Sequence, residues 1–318
     1  MPPQLEQAAE PTMYFIGVTT GSSSIMRVFP AWAQHLGIEA RIAGIDLPLH
    51  AGPDDYRAVV AFIHEDPQSL GALVTTHKLD LLEAARDLFD ELGEDAQTLG
   101  EISSISKRDG HLIGHAKDPI TSGLALEAIV DDGDWGESEL VILGAGGSSL
   151  ALTLYLHRRQ RAGRSVPRRI KVTNRSPGRL KEMQVIHDRL GFAVATDYVS
   201  AAEPAENDAQ LLDLPDGSVV INATGLGKDR PGSPLTDGAQ FPRAGVAWDF
   251  NYRGELVFLE QAERQREARS LRVVDGWEYF IHGWTRVIAE VFDLDIPTEG
   301  PEFDRISEIA RTTSGART

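Results

Sequence analysis

The feature that most constrains this fold is the stretch Glu139 to Leu150, ELVILGAGGSSL, in which an apolar run meets a glycine turn. The run Leu140–Leu143 is short enough for a strand buried on both faces of a sheet. It is followed at once by Gly144, Ala145, Gly146 and Gly147, and Ser148 then opens a helical pattern. This order predicts a dinucleotide site, because the turn lets a pyrophosphate approach the backbone and the helix start offers free N–H groups. Ser149 stands where the third glycine of the pattern would fall, so a plain glycine turn stays as the alternative.

The end of the next strand indicates which dinucleotide would bind. Arg169–Thr173 reads as this second strand, and it leads into Asn174, Arg175 and Ser176, with Arg179 close behind. An NAD site usually carries a carboxylate here for the ribose 2′-hydroxyl, whereas planar cations suit a 2′-phosphate. The two arginines and the missing carboxylate therefore predict NADP. The alternative is that the arginines are the solvated start of a helix.

The composition limits the partners of the chain. Lysine and arginine total 31 against 48 aspartate and glutamate, and the net charge of −17 argues against nucleic acid or an anionic membrane surface. Zero cysteines exclude disulfides, thiolate metal sites and cysteine nucleophiles. The first residues, MPPQLEQAAEPT, lack the pattern of a secretion signal, and no apolar run reaches the ~18 residues of a membrane span. We expect a cytoplasmic protein that acts on a small molecule, and the sequence leaves a homodimer open.

Two alternating series of strands and helices predict an α/β fold. In the first half, strands at 13–20, 40–47 and 70–75 alternate with helices ending near 36, 64 and 92, which predicts a mostly parallel sheet. Asp109-Gly110 predicts a hairpin turn between strands at 102–106 and 111–115. A helix from Asp118 to about Val130 follows. After the strand at Leu140, further strands are expected at 169–173, 193–199, 218–223, 246–250 and 271–274, and helices at 277–292 and 299–312.

Several motifs in one order resemble the shikimate/quinate dehydrogenase family, from about Met13 to Phe292. The glycine turn resembles its phosphate loop, and the asparagine and arginines after the second strand resemble its NADP clamp. The loop Asn222, Ala223, Thr224 and Gly225 is similar to the one beside the nicotinamide, and Tyr252 closes a D-x-x-Y element near the substrate. Lys78, in VTTHK, and Asp118, in HAKD, fall where the family keeps its catalytic lysine and aspartate.

The departures from the family cluster on the substrate side. The family's two carboxylate-binding serines align with Ser23 and Ile25, or in a shifted register with Ser22 and Ser24. The lysine segment carries Thr76 without the family's asparagine and proline, Ser103 replaces an asparagine, and His282 is the nearest match to a glutamine. The resemblance thus implies Ser23, Thr76, Ser103, Tyr252 and His282 as substrate contacts, in a pocket that differs from that for shikimate.

The resemblance also implies an architecture and a reaction. The N-terminal α/β substrate domain would span residues 1–119 and be completed by helices in 277–318, and the Rossmann-type NADP-binding domain would span 120–276. The reaction would be reversible hydride transfer between NADP and a cyclic polyol or hydroxy acid, with Lys78 and Asp118 acting on the hydroxyl proton. Plainer interpretations remain for both residues: Lys78 as a surface lysine, and Asp118 as a helix cap.

Two alternatives to this function stay open. One is true shikimate or quinate dehydrogenase activity, and the other is an NADP-binding sensor without turnover. Lys117 is interpreted as a solvated neighbour of Asp118. The spacing of His77, His115 and His282 does not match a metal-ligand pattern, so no metal is expected.

Overall fold

A computed structural model describes residues 5–130, 135–228 and 230–314 of the chain. These residues form two compact units. The first comprises the chain up to Asp118 together with the segment from Ile281 onward, and the second runs from Pro119 to Phe280.

The first unit is built on a mixed six-stranded sheet. Its strands and helices begin with β1 (Thr12–Gly17), α1 (Ile25–Leu36), β2 (Arg41–Asp46), α2 (Pro53–Glu65) and β3 (Ser69–Val74), and continue with α3 (Lys78–Ala85), β4 (Glu91–Leu92), α4 (Glu94–Leu99), β5 (Ser104–Arg108) and β6 (His111–His115). The strand order is β2-β1-β3-β5-β6-β4. β1 pairs in parallel with β2 and β3, whereas β5 is antiparallel to both β3 and β6.

The predicted hairpin is present, and it makes this sheet less parallel than expected. Asp109 and Gly110 both have positive φ, 50° and 82°, as a tight two-residue hairpin turn requires. The helix predicted to reach Leu92 instead ends at Ala85. Beyond it, the Asp90 N–H donates to the Leu112 carbonyl and the Asp90 carboxylate accepts from the Leu112 N–H, so the segment joins the sheet and forms β4 beside β6.

The second unit is a fully parallel six-stranded sheet covered by helices. After α5 (Asp118–Ile129) its elements are β7 (Leu140–Leu143), α6 (Gly147–Arg161), β8 (Arg169–Asn174), α7 (Pro177–Leu190), β9 (Ala195–Ser200) and α8 (Pro204–Leu211), then β10 (Val219–Asn222), β11 (Val246–Asp249), α9 (Val257–Glu263), α10 (Arg266–Arg269) and β12 (Arg272–Val274). The strand order is β12-β11-β10-β7-β8-β9. This is the doubly wound order of a Rossmann fold, and the chain reverses direction between β7 and β10, where such sheets bind ligands.

The chain returns to the first unit through α11 (Trp277–Phe292) and ends with α12 (Gly300–Ser314). There, Trp32 of α1 is fully buried and its indole N–H donates to the Ile306 carbonyl of α12 at 2.8 Å. Phe15 of β1 packs edge-on against Trp284 at 5.0 Å. The C-terminal helices therefore complete the core of the first unit. The predicted two-part α/β fold is confirmed. Across the described ranges, no helix has the length and apolar character to span a membrane.

Candidate active site

The glycine turn after β7 can adopt its shape only without a side chain. β7 is fully buried, and Gly144 follows it with φ of 113°. A Cβ at Gly144 would lie 2.8 Å from the Ala223 carbonyl oxygen, on the loop after β10. Ser149 is also fully buried, and its hydroxyl donates to the Gly144 carbonyl at 2.7 Å. Serine in the third glycine position therefore stabilises the turn, and α6 begins directly above it, at Gly147.

A pocket of about 410 Å³ opens beside this turn, within the second unit. Many of the predicted cofactor residues line it: Gly144, Ala145, Gly146, Asn174, Arg175, Arg179, Ala223 and Thr224. Predicted residues that lie outside its wall, although the structure describes them, are Gly147, Ser148, Ser176, Asn222 and Gly225. Glu203, Asn207, Leu226 and Arg230 also line the pocket, and none of them was predicted as a cofactor residue. Asn207 lies in α8 and Glu203 directly precedes that helix, in a stretch without a recognisable motif, whereas Leu226 directly follows the predicted loop from Asn222 to Gly225.

The cationic wall of the pocket is formed at the start of α7. Arg175 and Arg179 are both exposed, on either side of the helix start at Pro177. Arg179 pairs with Glu182 at 3.0 Å, one turn along the helix. Because an exposed pair of this kind contributes little, Arg179 can exchange it for a phosphate. Glu203, which directly precedes α8, contributes a carboxylate to the lining of the same pocket.

Asn222 lies beneath the pocket and organises its floor. It is fully buried, and its amide oxygen accepts hydrogen bonds from the N–H and the hydroxyl of Thr224 at 3.1 and 2.7 Å. Its amide nitrogen donates to Asp249 at 3.0 Å and to the Leu226 carbonyl. Asn251 donates its backbone N–H to the same Asp249 carboxylate. Asn222 was predicted as a cofactor contact, but its polar atoms are used to hold the loops after β10 and β11.

Asp249 is the buried acid of this network. It is fully buried, and this burial raises its pKa to about 7, although the hydrogen bonds from Asn251 and Asn222 oppose the shift. Tyr252, three residues on, is partly buried and packs against Phe280 at 4.4 Å and Trp277 at 5.8 Å. In the D-x-x-Y element, Asp249 is thus a buried acid that anchors the loop, and Tyr252 is a partly exposed aromatic residue.

In the first unit the structure brings Lys78 and Asp118 into direct contact. Lys78 is the first residue of α3, Asp118 is the first residue of α5, and the Lys78 ammonium donates to the Asp118 carboxylate. The two side chains are 21% and 13% exposed, so the pair is accessible without being fully solvated. An ammonium held by a carboxylate in a partly desolvated position is suited to exchange a proton with a substrate hydroxyl.

Two predicted substrate residues flank this pair. Thr76 is exposed and has φ of 63°, which is unfavourable for a β-branched residue and is typical of functional sites. Ser103 is 3% exposed, and its hydroxyl accepts a hydrogen bond from the Lys117 N–H at 2.8 Å. Its backbone bonds to Val74 and His115. Ser103 therefore joins the ends of β3 and β6, and it has little surface to offer a substrate.

The structure also places the other residues expected on the substrate side. Ser23 is partly exposed, but Ile25 is fully buried in the core, so it does not replace a serine in a pocket wall. His282 is 2% exposed and stacks on Phe303 of α12 at 4.5 Å. This burial lowers the His282 pKa to about 4, so the imidazole is neutral, and it has little surface to offer a substrate.

Lys117 is not a solvated neighbour of Asp118. It is 16% exposed and its ammonium lies 2.6 Å from the Glu290 carboxylate of α11. His115 and Arg108 approach the same carboxylate at 3.3 and 3.0 Å. Hydrogen bonds from His115 and Lys117 hold the pKa of Glu290 below its usual range, against the effect of burial. In the part of the chain that the structure describes, no cluster of three or more histidine, cysteine or acidic residues could hold a metal ion.

Glu101, which lies between α4 and β5, was not among the predicted site residues. Its side chain is only 4% exposed, and burial raises its pKa to about 7. The charge of Lys78 lowers this pKa and that of Asp118 raises it, so Glu101 belongs to the same electrostatic cluster. A lone glutamate before a predicted strand gives no signal in the sequence, because its environment is formed by residues 23 and 17 positions away.

Comparisons with known proteins agree with this arrangement. No protein-family model matches the chain. A curated shikimate dehydrogenase (NADP(+)) from Symbiobacterium thermophilum is 27% identical over 250 residues, which cover 77% of this chain and 76% of the relative. The crystal structure of a shikimate dehydrogenase in complex with NADP⁺ matches with a TM-score of 0.74 at 19% identity, covering 98% of each chain. Quinate dehydrogenase from Corynebacterium glutamicum in complex with NAD matches with the same TM-score and identity, over 95% of this chain and 99% of the other. The predicted family resemblance is confirmed in sequence and in fold.

Proposed function

We propose, from this similarity to shikimate dehydrogenases, that the chain is an NADP-dependent oxidoreductase acting on a secondary alcohol of a cyclic polyol or hydroxy acid. The second unit would serve as the NADP-binding domain and the first unit as the substrate domain. The observation that carries the proposal is the contact between Lys78 and Asp118, which are 40 positions apart in sequence. A sensor without turnover has no need of this pair.

The reaction requires two transfers from the alcohol, a hydride and a proton. The bound cofactor supplies the hydride acceptor. Lys78 would contact the reacting oxygen and exchange the proton with it, while the Asp118 carboxylate keeps the ammonium oriented. Thr76, two residues before Lys78, would help to shape the surface presented to the substrate.

The second unit fits the cofactor in shape and in charge. The Gly144 turn leaves room for a pyrophosphate near the start of α6, whose N–H groups and dipole favour anions. Arg175 and Arg179 would bind the 2′-phosphate, because guanidinium groups match phosphate oxygens in pairs. Ala223, Thr224 and Gly225 would lie beside the nicotinamide, and Asn222 would position them from below.

Shikimate or quinate itself is the second candidate substrate, and the names of the relatives favour it. The substrate side of this chain departs from the family's pocket at two positions. Ile25 is in the core, and Ser103 is 3% exposed with its hydroxyl accepting from the Lys117 N–H, so two positions of the family's pocket present no accessible hydroxyl or amide here. We therefore expect shikimate to have a high Michaelis constant.

The experiment is a substrate screen with purified protein and NADP⁺ or NAD⁺. Shikimate, quinate and a set of neutral cyclitols would be tested in oxidation, and the matching ketones in reduction, by following the reduced nicotinamide. Turnover with NADP(H) on any of them supports the proposal. Tight NADP binding without turnover on the whole panel would instead favour the sensor.

Two further expectations belong to this proposal. A homodimer would be detected by sedimentation equilibrium of the purified chain. A cytoplasmic location would be detected by cell fractionation with a specific antibody.

A further inference from the structure

Glu101 is a buried acid that the proposed reaction does not yet use. The segment carrying it is attached to the candidate lysine, because the Ile102 N–H donates to the Lys78 carbonyl at 3.3 Å. Its Oε1 atom is buried and has no hydrogen-bond partner among the described residues. A buried carboxylate oxygen without a partner is costly, so its retention beside Lys78 calls for a role.

The charges around Glu101 indicate that role. Lys78, at the start of α3, and Asp118, at the start of α5, both act on its charge. The elements next to it also carry other titratable residues, namely Asp80 and Glu83 on α3, Glu94 and Asp95 on α4, Lys107 and Arg108 on β5, and His111 and His115 on β6. The charges that act on Glu101 are those of Lys78 and Asp118. Glu94 is exposed, and His115 is engaged by Glu290. Lys78 is therefore in contact with the Asp118 carboxylate and is also the cation whose charge acts on buried Glu101.

We propose that Glu101 is a positioning residue that keeps Lys78 charged, and so sets the site for carbonyl reduction at neutral to mildly alkaline pH. This inference rests on the proposed function. A carboxylate near an ammonium stabilises its charged form, and two carboxylates do so more than one. The ammonium form is the one that can give a proton.

Reduction moves one hydride and one proton to the substrate carbonyl. The carbonyl carbon of the substrate receives a hydride from NADPH, and a new C–H bond forms while the C=O π bond breaks. The carbonyl oxygen takes a proton from the Lys78 ammonium, which becomes a neutral amine, and NADP⁺ is left. Lys78 then regains a proton from solvent. Oxidation needs the neutral amine at the outset, so a cluster that keeps Lys78 charged moves oxidation to higher pH.

The test is Glu101→Gln, which removes the charge and keeps the shape. The first measurement needs no substrate: the rate of Lys78 acetylation is followed by mass spectrometry as a function of pH. We expect the midpoint of this profile to fall by roughly one pH unit or more relative to the unmodified protein. The second measurement is the pH profile of turnover in both directions, in which the alkaline limit of reduction should fall by the same amount.

Glu139→Gln is the matched control. Glu139 is also buried, at 5% exposed, but it lies in the second unit and pairs with Arg168 at 2.8 Å. This variant should leave the Lys78 midpoint unchanged. Glu101→Ala serves as the second variant if Glu101→Gln does not fold, and it should shift the midpoint in the same direction.

The outcomes separate the two proposals. An unchanged Lys78 midpoint in folded Glu101 variants would overturn the role of Glu101, whether or not the protein turns over a substrate. A midpoint that falls, in a protein without turnover on any compound of the screen, would support the charge effect and count against the proposed dehydrogenase. If the midpoint of Lys78 acetylation falls but the pH profile of reduction stays the same, the link between Glu101 and catalysis would be overturned.

Discussion

Replacing Lys78 with methionine tests the proposed chemistry most directly. Methionine keeps the length of the side chain and removes its charge and its donors. In the structure, the ammonium donates to Asp118 and influences buried Glu101. The substitution therefore removes the proton donor, leaves the Asp118 carboxylate without this partner, and removes the charge that lowers the pKa of Glu101.

The structure gives the magnitudes expected for this variant. Removing one partner of a fully buried ion pair costs about 3–5 kcal/mol. Here Lys78 and Asp118 are 21% and 13% exposed. Water can therefore reach the remaining Asp118 carboxylate and screen its charge. We expect a smaller stability loss for this reason, of about 1–2 kcal/mol. Turnover should fall about 10²–10⁴-fold, the usual contribution of a positioned acid–base group, which is about 3–5 kcal/mol of activation free energy.

The assay compares three quantities in the same variant: turnover on the substrate from the screen, the NADP dissociation constant from calorimetry, and the free energy of unfolding in urea. The NADP constant should stay unchanged, because the pocket with the arginines lies in the second unit. Lys107→Met is the control, since Lys107 of β5 donates to the Asp66 carbonyl at 2.8 Å and lies outside the candidate pair. Turnover retained in Lys78→Met would refute the catalytic assignment.

Three other predictions concern the second unit. Arg175→Ala should weaken NADP binding about 10–100-fold and NAD binding far less, because a charge-assisted bond to phosphate contributes about 1.5–3 kcal/mol; tighter binding of NAD than NADP by the unmodified protein would contradict this. Gly144→Ala should cost about 1–3 kcal/mol in urea unfolding, since its Cβ would lie 2.8 Å from a backbone oxygen at φ of 113°, whereas Gly146→Ala, with open space around it, should cost less. Burial raises the pKa of Asp249 to about 7, so its contribution to stability is present below about pH 4 and is lost as the pH rises toward 7. Asp249→Asn should therefore gain stability relative to the unmodified protein between pH 4 and 8, and parallel stability curves for the two proteins would show the reasoning to be wrong.

The sequence determined the features that depend on near neighbours in the chain. The buried strand at Leu140–Leu143, the glycine turn after it and the helix beyond are all found where predicted, because each depends on local turn geometry and hydrophobic periodicity. The Asp109-Gly110 hairpin follows from the same kind of local rule. The two arginines after β8 lie in the pocket wall for the related reason that a strand end and the next helix start are adjacent in any βα unit.

Only the tertiary structure decided which side chains face solvent and which charges meet. The sequence predicted His282 as a substrate contact, but in the structure it is buried and stacks on Phe303 of α12. Ile25 is also buried in the core. Asn222 matched a cofactor motif, yet its amide bonds Asp249, 27 residues away. Glu101 carried no pattern at all, and it acquires its significance from Lys78 and Asp118, on two other elements. Burial and electrostatics are sums over neighbours in space, and the linear pattern of residues does not contain those neighbours.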